Sequence, residues 1–281
     1  MEIINKYQPS ILADTNVISN AVSPPTDRDS KKILGYKEDS SKLFRSLKGF
    51  NLFISWTVSE EISLGNPANV ARRKNLVDGI KVLNFASEIK ELADDFMKEK
   101  IFKAKAENDA LILAAACIYG INYLVTCNMK DLANDKKKKE MIRVIKKHGY
   151  RPPIICTPGD FLRNYMNEPA NVREESTNYF DKSQDLSYNV DTMKTIEHKE
   201  ETIVEECRRI RNQLDEEYAK DPEKYIANIY KKIEEMKAQG VEFITKPFPP
   251  PPKRAMALLE KHRKELDEKY RKEAEEALLA K

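Results

Sequence analysis

The sequence predicts an α/β protein, a parallel sheet with helices on both faces, followed by a linker and an all-α C-terminal segment. Short apolar runs at 11–13, 51–55, 81–85, 122–127 and 153–156 alternate with stretches of helical periodicity, the pattern of strands joined by crossover helices. The run at 122–127 is apolar on both sides of the pleat, as a strand covered on both faces requires. Beyond residue 165 the chain turns polar and aperiodic, and then apolar positions return at helical spacing.

In chain order, Ile11, Leu12 and Ala13 form the first strand and hand over to Asp14, Thr15 and Asn16 at the start of a helix. Residues 23–35, with Pro24 and Pro25, read as a loop or broken helix, and 42–47 as a short helix before the second strand. A helical turn at 56–63 carries Glu60 and Glu61. Gly65, Asn66 and Pro67 then break the chain before a helix over about 68–78, which leads to the third strand. Residues 86–100 are helical by spacing, with a second short helix around Ile101. From Asp109 to Gly120 the sequence is apolar almost all round, so that helix must be buried. A basic stretch at 136–139 opens a helix ending at His148 and Gly149. After the last strand Thr157 caps a closing helix with Pro158 at its first position.

Two units and a linker follow from this pattern: 1–168 as the α/β unit, 169–197 as the linker and 198–281 as the helical segment. Ile203, Val204, Cys207, Ile210, Leu214 and Tyr218 form one apolar stripe; Tyr225, Ile226, Ile229, Tyr230, Ile233 and Met236 form another. An extended proline-rich segment around 249–252 precedes a charged helix over about 254–279. The 281 residues carry a formal net charge of +3, unevenly spread: residues 1–168 hold 27 Lys and Arg against 21 Asp and Glu, and the remainder 22 against 25. A mildly basic half tethered to a mildly acidic one can bind itself. With no basic-then-apolar leader and no long apolar stretch, the expectation is a cytoplasmic protein with no membrane partner. Four scattered cysteines without a paired spacing indicate free thiols, mostly buried.

The candidate chemistry lies in Asp14, Glu61, Asp109 and Asp131. Each falls at a strand's carboxyl end or in the helix after it, and in an open parallel sheet those places converge on one rim. A cluster of carboxylates with few competing His or Cys suits a hard cation, Mg²⁺ or Mn²⁺, which would relieve their repulsion and activate a water. Against this, Asp14 before a helix is also an ordinary N-cap, and Thr15, Asn16 and Thr126 are either caps or groups that orient the acids. Arg72, Arg73 and Lys74 read as a solvated helix face or as contacts to RNA phosphates. His148, His198 and His262 stand far from the acids in sequence and read as surface or packing residues.

The order Asp14-Thr15-Asn16, Glu60-Glu61-Ile62, Asn108-Asp109-Ala110 and Thr126-Cys127-Asn128 with Asp131 resembles the PIN-domain nucleases. Within them it is similar to the VapC-like ribonuclease toxins of type II toxin–antitoxin pairs, over about residues 10–165. The resemblance implies a PIN-like sheet and a Mg²⁺-dependent (or Mn²⁺-dependent) endoribonuclease with Asp14, Glu61, Asp109 and Asp131 as catalytic and metal-binding acids. It also implies Thr15, Asn16, Thr126 and Asn128 at the substrate, where the charge run on the helix after Glu61 adds Arg73. Glu61 rather than Glu60 matches by its spacing to Gly65, which leaves Glu60 as a solvated neighbour. The sequence departs from the pattern where close relatives carry His, at Ile112 and Asp131. The segment from 200 onward is similar to the small helical antitoxins encoded beside such toxins, so a basic side chain among Arg208, Arg209, Arg211, Lys253 and Arg254 is expected to reach the acidic pocket. Possible partners are RNA, the chain's own C-terminal segment or a separate antitoxin, and a second copy in a homodimer. The competing reading is a non-catalytic RNA-binding or oligomeric scaffold on a degenerate PIN fold.

Overall fold

The computed structural model describes residues 8–47, 50–103, 106–128, 135–165, 203–251 and 253–279. The 169–197 linker and Asp131 lie outside them. Six strands form one all-parallel sheet: β1 (Ser10–Ala13), β2 (Asn51–Ser55), β3 (Lys81–Leu83), β4 (Tyr123–Val125), β5 (Ile154–Cys156) and β6 (Phe243–Ile244), in the spatial order β5-β4-β1-β2-β3-β6.

Eleven helices accompany them among the described residues. Before β4 come α1 (Thr15–Val22), α2 (Lys31–Arg45), α3 (Trp56–Ile62), α4 (Pro67–Leu76), α5 (Ser87–Lys98) and α6 (Glu107–Ile118). After it come α7 (Asp135–Lys147), α8 (Pro158–Tyr165), α9 (Ile203–Lys220), α10 (Pro222–Ala238) and α11 (Lys253–Leu279).

Strand order reverses at β1. Its neighbours are β2, reached through α1 and α2, and β4, reached only after β3, α5 and α6. Right-handed crossovers then put the helices joining β1, β2 and β3 on one face and those joining β3, β4 and β5 on the other. Helix α2 packs on α1 and α8, and α5 packs on α6 and α7. Ile11, Leu12 and Ala13 are fully buried, and every residue of α6 is buried, as its all-round apolar sequence demands. At such a reversal neighbouring crossovers diverge, so the carboxyl ends of β1 and β4 are where a crevice is expected.

Local chemistry accounts for the element starts. The Ser30 and Ser55 hydroxyls each accept the N–H three residues on, and Asn66 Oδ1 accepts from Ala68 N at 2.9 Å ahead of Pro67. Several boundaries move from the sequence reading. Residues 31–45 make one continuous helix, because Leu43 and Phe44 anchor it in the core. No helix forms around Ile101; Ile101 and Phe102 bury themselves in an irregular turn instead, with Phe102 edge-on to Phe96.

The C-terminal segment is not purely helical. Phe243 and Ile244 pair with β3 as β6, through Val82 N donating to Glu242 O and Asn84 N to Ile244 O. This satisfies a sheet edge that would otherwise present unpaired backbone. The proline-rich stretch crosses the sheet, with Phe248 N donating to Tyr119 O at 3.0 Å and the Phe248 ring 4.8 Å from Phe53. Ile210, Leu214, Tyr225, Ile229, Leu259 and Leu266 join the same buried cluster as the strands, so the C-terminal stripes find their partner surface on the α/β unit. The four cysteines are unpaired. Among the described residues no helix is long and apolar enough to cross a membrane.

Candidate active site

Asp14 follows β1 in extended backbone and is the N-cap residue of α1, yet its side chain makes no capping bond. Its carboxylate turns instead across the sheet, where Oδ2 accepts from Thr126 Oγ1 at 2.7 Å and from Asn16 Nδ2. Adjacent strands explain the meeting. Ala13 is in register with Val125, and Asp14 N donates to Val125 O at 3.0 Å, which sets Thr126 beside Asp14. Thr126 Oγ1 also accepts from Asn128 N and Asn16 Nδ2, and Asn16 Oδ1 accepts from Cys127 N at 2.8 Å. The two turns that follow β1 and β4 are thus laced together by side chains.

Glu61 comes from α3 and Asp109 from the first turn of α6. Glu61 Oε1 accepts from Asn108 Nδ2 at 3.0 Å and Oε2 from Thr15 Oγ1; Asp109 Oδ2 accepts from Asn128 Nδ2 at 3.1 Å. All three acids are buried. Three like charges in one buried pocket repel strongly unless a cation lies among them.

That cation is Arg211 of α9. Its Nε donates to Glu61 Oε1 at 2.9 Å, Nη1 to Asp109 Oδ1 at 2.7 Å, and Nη2 to Asp14 Oδ1 at 2.8 Å and Glu61 Oε2 at 2.9 Å. Burial works against its charge, but the carboxylates of Glu61, Asp14 and Asp109 outweigh it and hold the guanidinium protonated. Of the five basic residues singled out in the sequence, Arg211 is the one this geometry places in the pocket. Arg209 and Lys253 are exposed, and the side chains of Arg208 and Arg254 are not described.

The acids present only oxygen donors, as a hard cation prefers, and they converge on a single positive group, so the residues fit such an ion. Among the described residues no three Asp, Glu, His or Cys side chains close to metal-ligand spacing. Each of the three acids instead meets a nitrogen of the planar guanidinium, which is broader than a bare cation.

Around this centre, two sequence expectations are corrected. Glu60 is not solvated but buried, accepting from Tyr225 Oη and Lys232 Nζ of α10. Arg73 is fully buried beneath α9, with Nη2 donating to Leu64 O at 2.6 Å and Nη1 to Cys207 Sγ at 3.1 Å, so it does not lie on a solvated face. His148 pairs with Asp95 and His262 lies under Tyr123, both away from the acids; His198 is outside the described residues.

The sequence reading gave no role to Asn108, Asp215 or Glu206. Asp215, one turn after Arg211, accepts from Asn108 N at 3.1 Å, and burial pushes its carboxyl up to about 7. Arg211 and Asp215 lie beside the apolar stripe of α9, and charged residues so close to a buried stripe were the available signal.

No protein-family model matches the chain, and no curated protein matches it either.

Proposed function

We propose that the chain is a metal-dependent ribonuclease of the PIN type whose acidic site is closed in cis by helix α9. The observation that carries this is the single guanidinium of Arg211 spanning Asp14, Glu61 and Asp109, three acids brought from three separate elements. Structural ion pairs seldom assemble three carboxylates around one base, because burying them costs several kcal/mol per ion. A site built for a divalent cation has that excess of negative charge by design.

In this reading Mg²⁺ or Mn²⁺, held by Asp14, Glu61 and Asp109, supplies Lewis-acid and water-activating chemistry for phosphodiester hydrolysis. The chain's own groups keep the acids in place. Thr126 and Asn16 orient Asp14, Thr15 and Asn108 orient Glu61, and Asn128 orients Asp109. Arg211 opposes activity twice, since it takes the carboxylate oxygens and fills the space a scissile phosphate needs.

The test uses the full chain. Arg211→Ala should cleave RNA in Mn²⁺ or Mg²⁺ and leave 5′-phosphate and 3′-hydroxyl ends, while the unaltered chain should cleave far more slowly. Absence of metal-dependent cleavage by a folded Arg211→Ala protein would favour the scaffold reading, in which the acids and Arg211 form a purely structural network.

A further inference from the structure

Glu206, five residues before Arg211 on α9, is also buried, and its partners all belong to the α3–α4 corner. Its Oε1 accepts from the backbone N–H of Asn66, and its Oε2 accepts from Asn69 Nδ2 at 2.8 Å and lies 3.8 Å from Arg73 Nη1. Gly65, at φ +101°, has no Cβ, and the Glu206 carboxyl occupies the space one would fill. The Arg73 guanidinium is completely buried, and its Nε has no hydrogen-bond partner among the described residues. A positive side chain, an amide, a backbone N–H and the N-terminus of α4 therefore surround one carboxylate supplied by a separate segment.

We infer that the corner formed by Gly65, Asn66, Asn69 and Arg73 is a phosphate subsite for the nucleic-acid strand, and that Glu206 occupies it in the closed form. The inference rests on the ribonuclease reading and adds a substrate contact to it. Five residues of helix rise by about 7.5 Å, so α9 carries the anion and the cation a little over one turn apart. The anion stands where a backbone phosphate binds and the cation where the acids gather, so one helix blocks two adjacent parts of the site. Arg73 accordingly has a substrate role once α9 leaves, although the closed form buries it completely.

The probe is inorganic phosphate, titrated at constant ionic strength into the isotope-labelled full chain, with the Asn66 backbone amide and Asn69 side-chain amide signals followed. Tethering holds Glu206 at an effective concentration of about a millimolar or more, so the unaltered chain should respond weakly. Glu206→Ala should give saturable shifts at both groups, and adding Asn69→Ala should weaken the response. If Glu206→Ala proves poorly folded, Glu206→Gln keeps the side-chain shape without the charge, and phosphate should compete with it more readily than with the carboxylate.

Shifts that chloride reproduces would mean an adventitious ion only and would overturn the proposal, as would a silent Asn66 amide in both folded variants. Cleavage by Arg211→Ala separates the two ideas. Cleavage without phosphate binding removes the subsite alone. Phosphate binding without cleavage removes the nuclease and with it the strand as ligand.

Discussion

Arg211 grips Glu61 side-on, with Nε donating to Oε1 and Nη2 to Oε2, both at 2.9 Å. Two parallel bonds from a planar fork fix direction as well as charge, which an ammonium group cannot do. Arg211→Lys should therefore behave as a partial release. Its cleavage rate in Mn²⁺ should fall between those of the unaltered chain and Arg211→Ala, and a lysine variant as silent as the unaltered chain would show that charge alone closes the site.

Removing Arg211 leaves three buried acids uncompensated. Arg211→Ala should lose about 3–5 kcal/mol of unfolding free energy in chelator, measured by denaturant titration, because breaking a buried pair strands its partners. Millimolar Mn²⁺ should recover part of that loss by binding the folded state. The unaltered chain should gain little from metal, since Arg211 already holds the oxygens. A variant that metal leaves unchanged in stability argues against a cation site.

In the Arg211→Ala background, Asp14→Asn should abolish cleavage and at the same time raise stability in chelator. The acids of that variant repel each other, and the amide removes one charge while keeping an oxygen for Thr126. A combined loss of activity and stability would instead point to a folding defect.

Asp215 makes the packing of α9 on α6 sensitive to pH. Burial raises its carboxyl from 3.8 to about 7, helped by Asp109 and Glu61 and opposed by the Asn108 N–H and Arg211. An acid whose folded pKa is raised stabilises fully below its unfolded value, and that contribution is lost as pH rises from about 4 through 7, at up to about 1.4 kcal/mol per pH unit. Asp215→Asn should lack this slope. The comparison should be made as the difference between the two proteins, because burial lowers the pKa of His262 and produces the opposite trend in both. Parallel stability profiles between pH 5 and 7 would refute the assignment.

Asp160 ties α11 to α8, beside the edge strand β5. Burial opposes its charge, yet hydrogen bonds from Lys269, Tyr270, Thr157 and Arg163 hold its carboxyl at about 2. Its contribution is complete above about 4 and is lost as pH falls toward 2. Asp160→Ala should cost about 3 kcal/mol and expose the 253–279 helix to limited proteolysis. A protease pattern identical to that of the unaltered chain would place the anchor of α11 elsewhere.

The resemblance to PIN domains picked Glu61 over Glu60 by its spacing to Gly65; Asp14, Glu61 and Asp109 were legible as a group because strand and helix periods locate them at strand carboxyl ends or in the helices that follow, which parallel topology sends to one rim. The five strands of the α/β unit were legible for the same reason. Strand β6 was not, since two residues are too few to show any period and pair only because β3 offers an open edge. Glu60 and Arg73 misled because helical phase within their own segments says nothing about a cover arriving from residues 203–238.

The sequence by itself determined five of the strands, most of the helices and which of their faces are apolar. These follow from interactions between near neighbours, where spacing along the chain is also spacing in space. Only the tertiary structure decided that Arg211, rather than another basic residue, enters the acids, and that Glu206 fills the Asn66 corner. Those choices depend on how α9 is rotated and seated against α1, α3 and α6. That docking is a sum over many distant side chains at once, and its angle and depth are written in no single stretch of sequence.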